Sequence, residues 1–225
     1  MWQRQLEGQA RTLQCSVWSK YVLPARKGPL SILISQRGSN VEDKDLPAVE
    51  AFVSEITASS IRGVSSASQL EPFERLARVL GAAGDETLAA PLMRLLKTLT
   101  LPSGAAYGDL HIGNIVKIGK SFRVIDCDRF CAQSSPLFDR LHFRLTRAQG
   151  DNKRKWLETL IRRQDVVAEV ATGFAKPEAL CLAYAVQRIV HEGEGALRLG
   201  LNTEKYVRQA RQLLEFARAL LGRLP

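Results

Sequence analysis

The stretch AYGDLHIGNIVKIGKSFRVIDCDRF, residues 106–130, decides how the chain is read. It sets Asp109 and Asn114 five residues apart and places Asp126 twelve residues beyond Asn114, around two short apolar runs. NIVKI and FRVID are rich in β-branched and aromatic residues, and Gly119 between them marks a turn near Ile118 to Lys120. A hairpin there brings Asn114, at the start of one strand, opposite Asp126, at the end of the other. Asp109 then lies on the preceding loop. Oxygen ligands of this kind suit Mg2+, which takes one or two protein ligands plus substrate phosphates. A further carboxylate beside the metal can orient an attacking hydroxyl or take its proton. Together these supply what phosphoryl transfer asks of a protein: positioning, charge neutralisation and a base.

Outward from this stretch the pattern is mostly helical. Residues 13–23 (LQCSVWSKYVL) and 30–35 (LSILIS) are strand candidates, with PARKG between them as a turn and QRGSN after them as a loop. LPAVEAFVSEIT (46–57) predicts a helix with Asp45 as N-cap and Val49, Phe52, Val53 and Ile56 on one face. RGVSSASQ (62–69) predicts a loop. LEPFERLARVLGAA and ETLAAPLMRLLKTL predict two helices separated at Gly81 and Gly84. A loop is expected at 104–114. Helices are expected at about 136–148, 152–163, 166–175, 177–192 and 202–222. The last has Asn202 as N-cap and a stripe of Tyr206, Ala210, Leu213, Leu214, Ala217, Leu220 and Leu221. There is no internal repeat.

A chain of 225 residues with 45% hydrophobic residues is large enough for one domain, or one domain in two lobes, with a proper core. Lys and Arg number 32 against 23 Asp and Glu, giving a net charge of +9. Such an excess suits an acidic partner such as a nucleotide, and equally a basic solubilising surface. Nucleic acid is disfavoured as a partner, because no basic cluster is interleaved with aromatic residues. The four cysteines, Cys15, Cys127, Cys131 and Cys181, form no CxxC pair and read as reduced thiols of a cytoplasmic protein. Neither His111 nor His142 stands at zinc-ligand spacing from Cys127 or Cys131, so a thiolate metal site is not expected. No run has the length of a membrane span or a signal peptide, so the chain is read as having no membrane partner.

With these residues in view, GDLHIGN followed by VID resembles the catalytic core of the protein-kinase-like superfamily. The form is more similar to the aminoglycoside phosphotransferase and choline kinase branch than to the eukaryotic protein kinases. The resemblance covers residues 104–143 well and the helical remainder loosely. It implies ATP and Mg2+ as cofactors, a hydroxyl-bearing acceptor, Asp109 as the catalytic Asp, and Asn114 and Asp126 as the Mg2+ ligands. Asp128 sits where that branch often has a second acid. SPLFDRLHF resembles a segment whose acid, here Asp139, is structural. His111 is read as shaping the loop. The fold implied is α+β and kinase-like, with a minimal β lobe at 1–38 and a mostly helical lobe at 39–225 built around a central hairpin.

Two departures stand beside the resemblance. Tyr107 occupies a place where the family usually has His. Residues 1–60 hold no G-x-G-x-x-G loop to cover phosphates; Gly8, Gly28 and Gly38 are their only glycines. Lys20 is the best strand lysine for a phosphate-binding role, with Glu50 or Glu55 as its acidic partner. The competing reading makes it an ordinary surface lysine, and the first strands of the small lobe are then missing. The functional expectation is phosphoryl transfer from ATP to a small-molecule or protein hydroxyl. The alternative is a kinase-like nucleotide- or partner-binding module without turnover.

Overall fold

The computed structural model describes residues 2–27, 33–35, 38–149 and 155–222. Its first element is not a strand. Trp2–Gln14 forms helix α1, and a 3-10 turn follows at Trp18–Lys20. The β-branched and aromatic residues of 13–23 therefore fill a core rather than pair in a sheet. Trp18 and Val22 are buried, and Val22 makes only an isolated bridge to Val124. The expected PARKG turn contains strand β1 (Ala25–Lys27), which pairs antiparallel with β2 (Leu33–Ser35). Residues 30–32 of the expected strand LSILIS lie outside the described residues, as do residues 36 and 37 of QRGSN. Ser39–Asn40 forms the short strand β3.

Helix α2 (Leu46–Ser60) buries Val49, Phe52, Val53 and Ile56. Asp45 precedes it but does not cap it through its side chain. Its carboxylate instead accepts from Glu42 N at 3.2 Å and from Lys117 Nζ at 2.6 Å. The expected loop at 62–69 begins as strand β4 (Ile61–Ser66). Helices α3 (Leu76–Ala82) and α4 (Ala89–Thr98) follow, and Thr100–Ala106 is strand β5, where a loop was expected from residue 104.

The central hairpin forms as the sequence predicts. Strands β6 (Ile115–Ile118) and β7 (Ser121–Val124) pair antiparallel, with Ile118 opposite Ser121 across the turn. β3 adds to the free side of β6, giving the order β3-β6-β7. Strand β8 (Cys131–Ser134) joins β4 and β5 in the order β4-β5-β8. Among the described residues, five helices follow: α5 (Pro136–Gln149), α6 (Trp156–Arg162), α7 (Gln164–Ala171), α8 (Pro177–Arg198) and α9 (Glu204–Leu221). The class is α+β, with small antiparallel sheets and a helical majority.

The chain divides into two compact units. The first comprises Met1–Arg62 and Ser103–Gly150. Its core gathers Trp18, Val22, Phe52, Ile56, Tyr107, Ile115, Val124 and Phe143 from elements far apart in sequence. The second comprises Gly63–Pro102 and Asp151–Pro225. It is organised on α8, which is buried along most of its length from Ala179 to Val190. α9 lays Tyr206, Val207, Ala210, Leu213 and Leu214 inward; its N-cap position is Thr203 rather than the expected Asn202, whose side-chain oxygen still accepts from Glu204 N at 2.8 Å. Glu194 of α8 pairs with Arg75 at 3.0 Å and with Arg78. Among the described residues no helix is long and apolar enough to cross a membrane.

Candidate active site

The loop from Tyr107 to Asn114 follows β5 and leads into β6, so two paired strands fix its ends. Its backbone is held from the side by one buried carboxylate. Asp139 of α5, only 2% exposed, accepts from Tyr107 N at 2.5 Å and Gly108 N at 2.8 Å. Burial pushes the Asp139 carboxyl up to about 7, against the pull of those two N–H donors. Gly108 has φ +91°, and a side chain there would lie 2.5 Å from the Arg129 carbonyl. Only glycine meets both demands.

Tyr107 is fully buried, stacked on Trp18 with ring centroids 5.8 Å apart. Its hydroxyl donates to the Asp126 carbonyl at 2.7 Å. The aromatic ring that replaces the expected His thus both packs and ties the loop to the turn after β7. Burial holds the Tyr107 phenol well above its ordinary range, so it remains a donor.

Asp126 opens that turn at φ 66° and ψ 60° and is the only non-glycine residue with positive φ among the described residues. Asp tolerates this left-handed region better than most side chains. Helix α1 backs the turn. A Cβ at Gly8 would lie 2.0 Å from the Cys127 carbonyl, so the helix packs on the turn backbone to backbone. The Cys127 thiol beneath is pushed up to about 12 by burial and is not a nucleophile.

The expected site residues then meet. Asn114 is buried; its Nδ2 donates to the Asp109 carbonyl at 3.0 Å, and its own carbonyl accepts from Ile125 N at 3.0 Å. Asn114 is thereby fixed beside both Asp109 and the end of β7. Partial burial raises the Asp126 carboxyl, and the nearby Asp128 and Asp109 charges raise it further, while Arg129 and His111 oppose them. Asp126 is therefore close enough to both Asp109 and Asp128 to feel their charges, the electrostatic condition a bound cation relieves. His111 shapes the loop: its Nδ1 accepts from Gly113 N at 3.1 Å, which puts its proton on Nε2. Among the described residues no group of three or more His, Cys, Asp and Glu side chains is spaced to hold a metal ion. A site built on Asn114 and Asp126 has one carboxylate and one amide, which is a set Mg2+ accepts when phosphates complete the shell.

Solved structures share this architecture. Choline kinase from Cryptosporidium parvum Iowa II matches with a TM-score of 0.50, over 96% of this chain and 78% of its own, at 10% identity. A thermostable mutant of the aminoglycoside phosphotransferase APH(4)-Ia, in its apo form, matches with a TM-score of 0.50 over 95% and 82%, at 12% identity. The fold is the kinase-like fold of these two proteins. No protein-family model matches the chain, and no curated protein matches it in sequence.

The fold also brings to Asp109 two side chains that were not among the expected site residues. His142 of α5 places Nε2 at 3.2 Å from Asp109 Oδ1, and Arg129 places Nη1 at 3.6 Å from Asp109 Oδ2. The signal for His142 was present as its spacing of three from Asp139, which puts both on one face of α5. Lys20 is an exposed residue ending a 3-10 turn rather than a strand lysine. The carboxylates expected beside it are engaged elsewhere: Glu55 accepts from the Tyr21 hydroxyl at 2.7 Å, and Glu50 pairs with Arg147.

Proposed function

We propose that the chain is an ATP- and Mg2+-dependent phosphotransferase that moves the γ-phosphoryl group to a hydroxyl. A small molecule is the first class of acceptor and a protein the second. A reduced small lobe at 1–38, a helical large lobe at 39–225 and a cytoplasmic location go with that reading. The observation that supports it is the fixing of Asp109, Asn114 and Asp126 by one set of hydrogen bonds: from Tyr107 N and Gly108 N to Asp139, from the Tyr107 hydroxyl to the Asp126 carbonyl, and from Asn114 Nδ2 to the Asp109 carbonyl. Asn114 has spent its amide donor on the loop, so its oxygen is the atom with ligand chemistry, and Asp126 is the carboxylate partner. Mg2+ held there would neutralise charge on the phosphates during transfer.

The rest is done by the chain's own residues. Asp109 orients the acceptor hydroxyl and takes its proton as the bond to phosphorus forms. Asp139 holds the backbone before Asp109, which fixes where the loop presents that residue. Gly108 lets the loop pass the Arg129 carbonyl without a clash. Positioning of this kind is worth a large share of a barrier, because a misplaced group loses most of its effective concentration. The proposal does not draw on Lys20.

A second reading, a nucleotide-binding module without turnover, is favoured by one feature: no G-x-G-x-x-G sequence lies before residue 60. The test is transfer from labelled ATP, with Mg2+, to aminoglycosides, choline, sugars and a protein extract. Labelled product supports the phosphotransferase. Binding of Mg·ATP without product supports the second reading. Failure to bind nucleotide overturns both.

A further inference from the structure

Helix α5 touches the candidate catalytic loop twice, with two side chains one helical turn apart. Asp139 takes the backbone N–H groups of Tyr107 and Gly108. His142, three residues on, reaches the side chain of Asp109 itself. His142 is 7% exposed, and its Nε2 lies 3.2 Å from Asp109 Oδ1. A bare ring nitrogen against a carboxylate oxygen would set lone pair against lone pair, so Nε2 carries a proton and donates it. The His111 ring packs edge-on against His142, with centroids 6.4 Å apart and planes at 78°. His111 is itself pinned by Gly113 N. The imidazole of His142 is therefore held on one side by a fixed ring and spends its Nε2 proton on Asp109.

An aspartate on a loop turns easily about its last torsion, because that torsion is broad and two-fold. Fixing the backbone alone leaves the carboxylate plane undetermined. We infer that His142 is a positioning residue for the phosphoryl-transfer reaction: its Nε2–H sets the plane of the Asp109 carboxylate, so that this group meets the acceptor hydroxyl in line with the phosphate. The inference rests on the phosphotransferase reading. It adds a residue 33 positions away from Asp109, within the SPLFDRLHF segment, to which the resemblance assigns no catalytic role. Asp139 and His142 then divide the work, one ordering the peptide before Asp109 and the other its reacting atoms.

Two substitutions separate this role from packing. His142→Leu keeps much of the volume and removes the donor. His142→Gln puts an amide donor near the position of Nε2. With an acceptor from the panel, His142→Leu is expected to keep the parent's Mg·ATP affinity and acceptor KM within about threefold and to lose kcat by about 10–100-fold, as misorientation of a reacting group does. His142→Gln is expected to recover most of the lost kcat. A merely structural histidine would instead give equal losses in both variants, or a loss in KM or nucleotide affinity, and either result overturns the inference.

A second readout needs no turnover. Long-range proton–nitrogen NMR on the parent and on Asp109→Asn reports the Nε2 resonance of His142. A clear shift on substitution supports the pair, and an unmoved resonance overturns it. If the parent transfers phosphate to nothing while the NMR shift is present, the phosphotransferase reading fails and the catalytic role of His142 falls with it. If the parent turns over and His142→Leu does too at the same rate, the positioning inference fails alone.

Discussion

The loop from Tyr107 to Asn114 and helix α8 are both largely buried, yet they are held by opposite means. α8 is surrounded by apolar side chains; Leu180, Leu182, Val186, Ile189 and Val190 are all fully buried. Each such side chain contributes about 1.5–3 kcal/mol of non-directional stabilisation. The loop is held by directed hydrogen bonds: its first two N–H groups donate to the buried Asp139 carboxylate, its Tyr107 hydroxyl to the Asp126 carbonyl and its Asn114 amide to the Asp109 carbonyl. Such contacts add only about 1 kcal/mol each to stability, but they fix atoms in place. Substitutions in the loop should therefore separate function from folding. Substitutions around α8 should not.

The largest expected effect belongs to Asp109→Asn. It keeps size and hydrogen-bonding reach and removes the charge. Turnover should fall by about 10²–10⁴-fold while Mg·ATP affinity and the melting temperature stay near the parent's values. Steady-state kinetics beside calorimetry checks this. A loss of binding in step with turnover would erase the contrast between loop and helix.

On the other side of the contrast, Leu213→Ala should cost about 2–5 kcal/mol, because Leu213 is fully buried against the rest of its unit. Urea melts measure it. A cost below about half a kcal/mol would mean that α9 is peripheral.

Asp139 stands between the two regimes, being both buried and polar. Its folded pKa of about 7 lies above the ordinary value of an aspartate, so the folded state holds the proton more tightly than the unfolded state. Its contribution is fully present below about pH 4 and is lost as pH rises toward 7, at up to about 1.4 kcal/mol per pH unit. Asp139→Asn should remove that slope from a series of melts between pH 4 and 8. The amide can accept from only one of the two N–H groups and turns a donor toward the other, costing about 1–3 kcal/mol at neutral pH. A variant with the parent's slope would show that Asp139 does not titrate in this window.

The smallest effect is expected at Asp45. The hydrogen bond from Lys117 and then that from Glu42 N hold its carboxyl below the usual range. The stability it gives is present above about pH 4, the ordinary aspartate value, and is lost as pH falls through the lowered folded value. Lys117→Met should therefore lower the melting temperature slightly at pH 7 and by less at pH 2. An equal loss at both would mean that the ion pair is not the cause.

The same contrast explains how much could be read in advance. The β6–β7 hairpin announces itself by β-branched runs around Gly119, so it was legible, and the local spacing of Asp109, Asn114 and Asp126 named the residues that the hairpin and its loop gather. Residues 13–23 misled because Trp18 and Val22 have strand-like side chains that serve a three-dimensional core. Strand β5 was hidden by Pro102 and Gly104, which usually punctuate loops. Lys20 looked like a strand lysine only because its surroundings did. His142 and Arg129 stand in stretches the sequence already singles out, but their contacts with Asp109 arise through tertiary packing, which spacing alone does not give.

The central claim is that Asn114 and Asp126 form the metal end of a phosphotransferase site, and calorimetry on Asp126→Ala tests it most directly. ATP is titrated into the parent and the variant, with and without Mg2+, after circular dichroism has established that both are folded. The parent should bind ATP more tightly with Mg2+ than without it, and the variant should show no such gain. An unchanged Mg·ATP affinity in the folded variant would contradict the assignment and leave only the kinase-like fold.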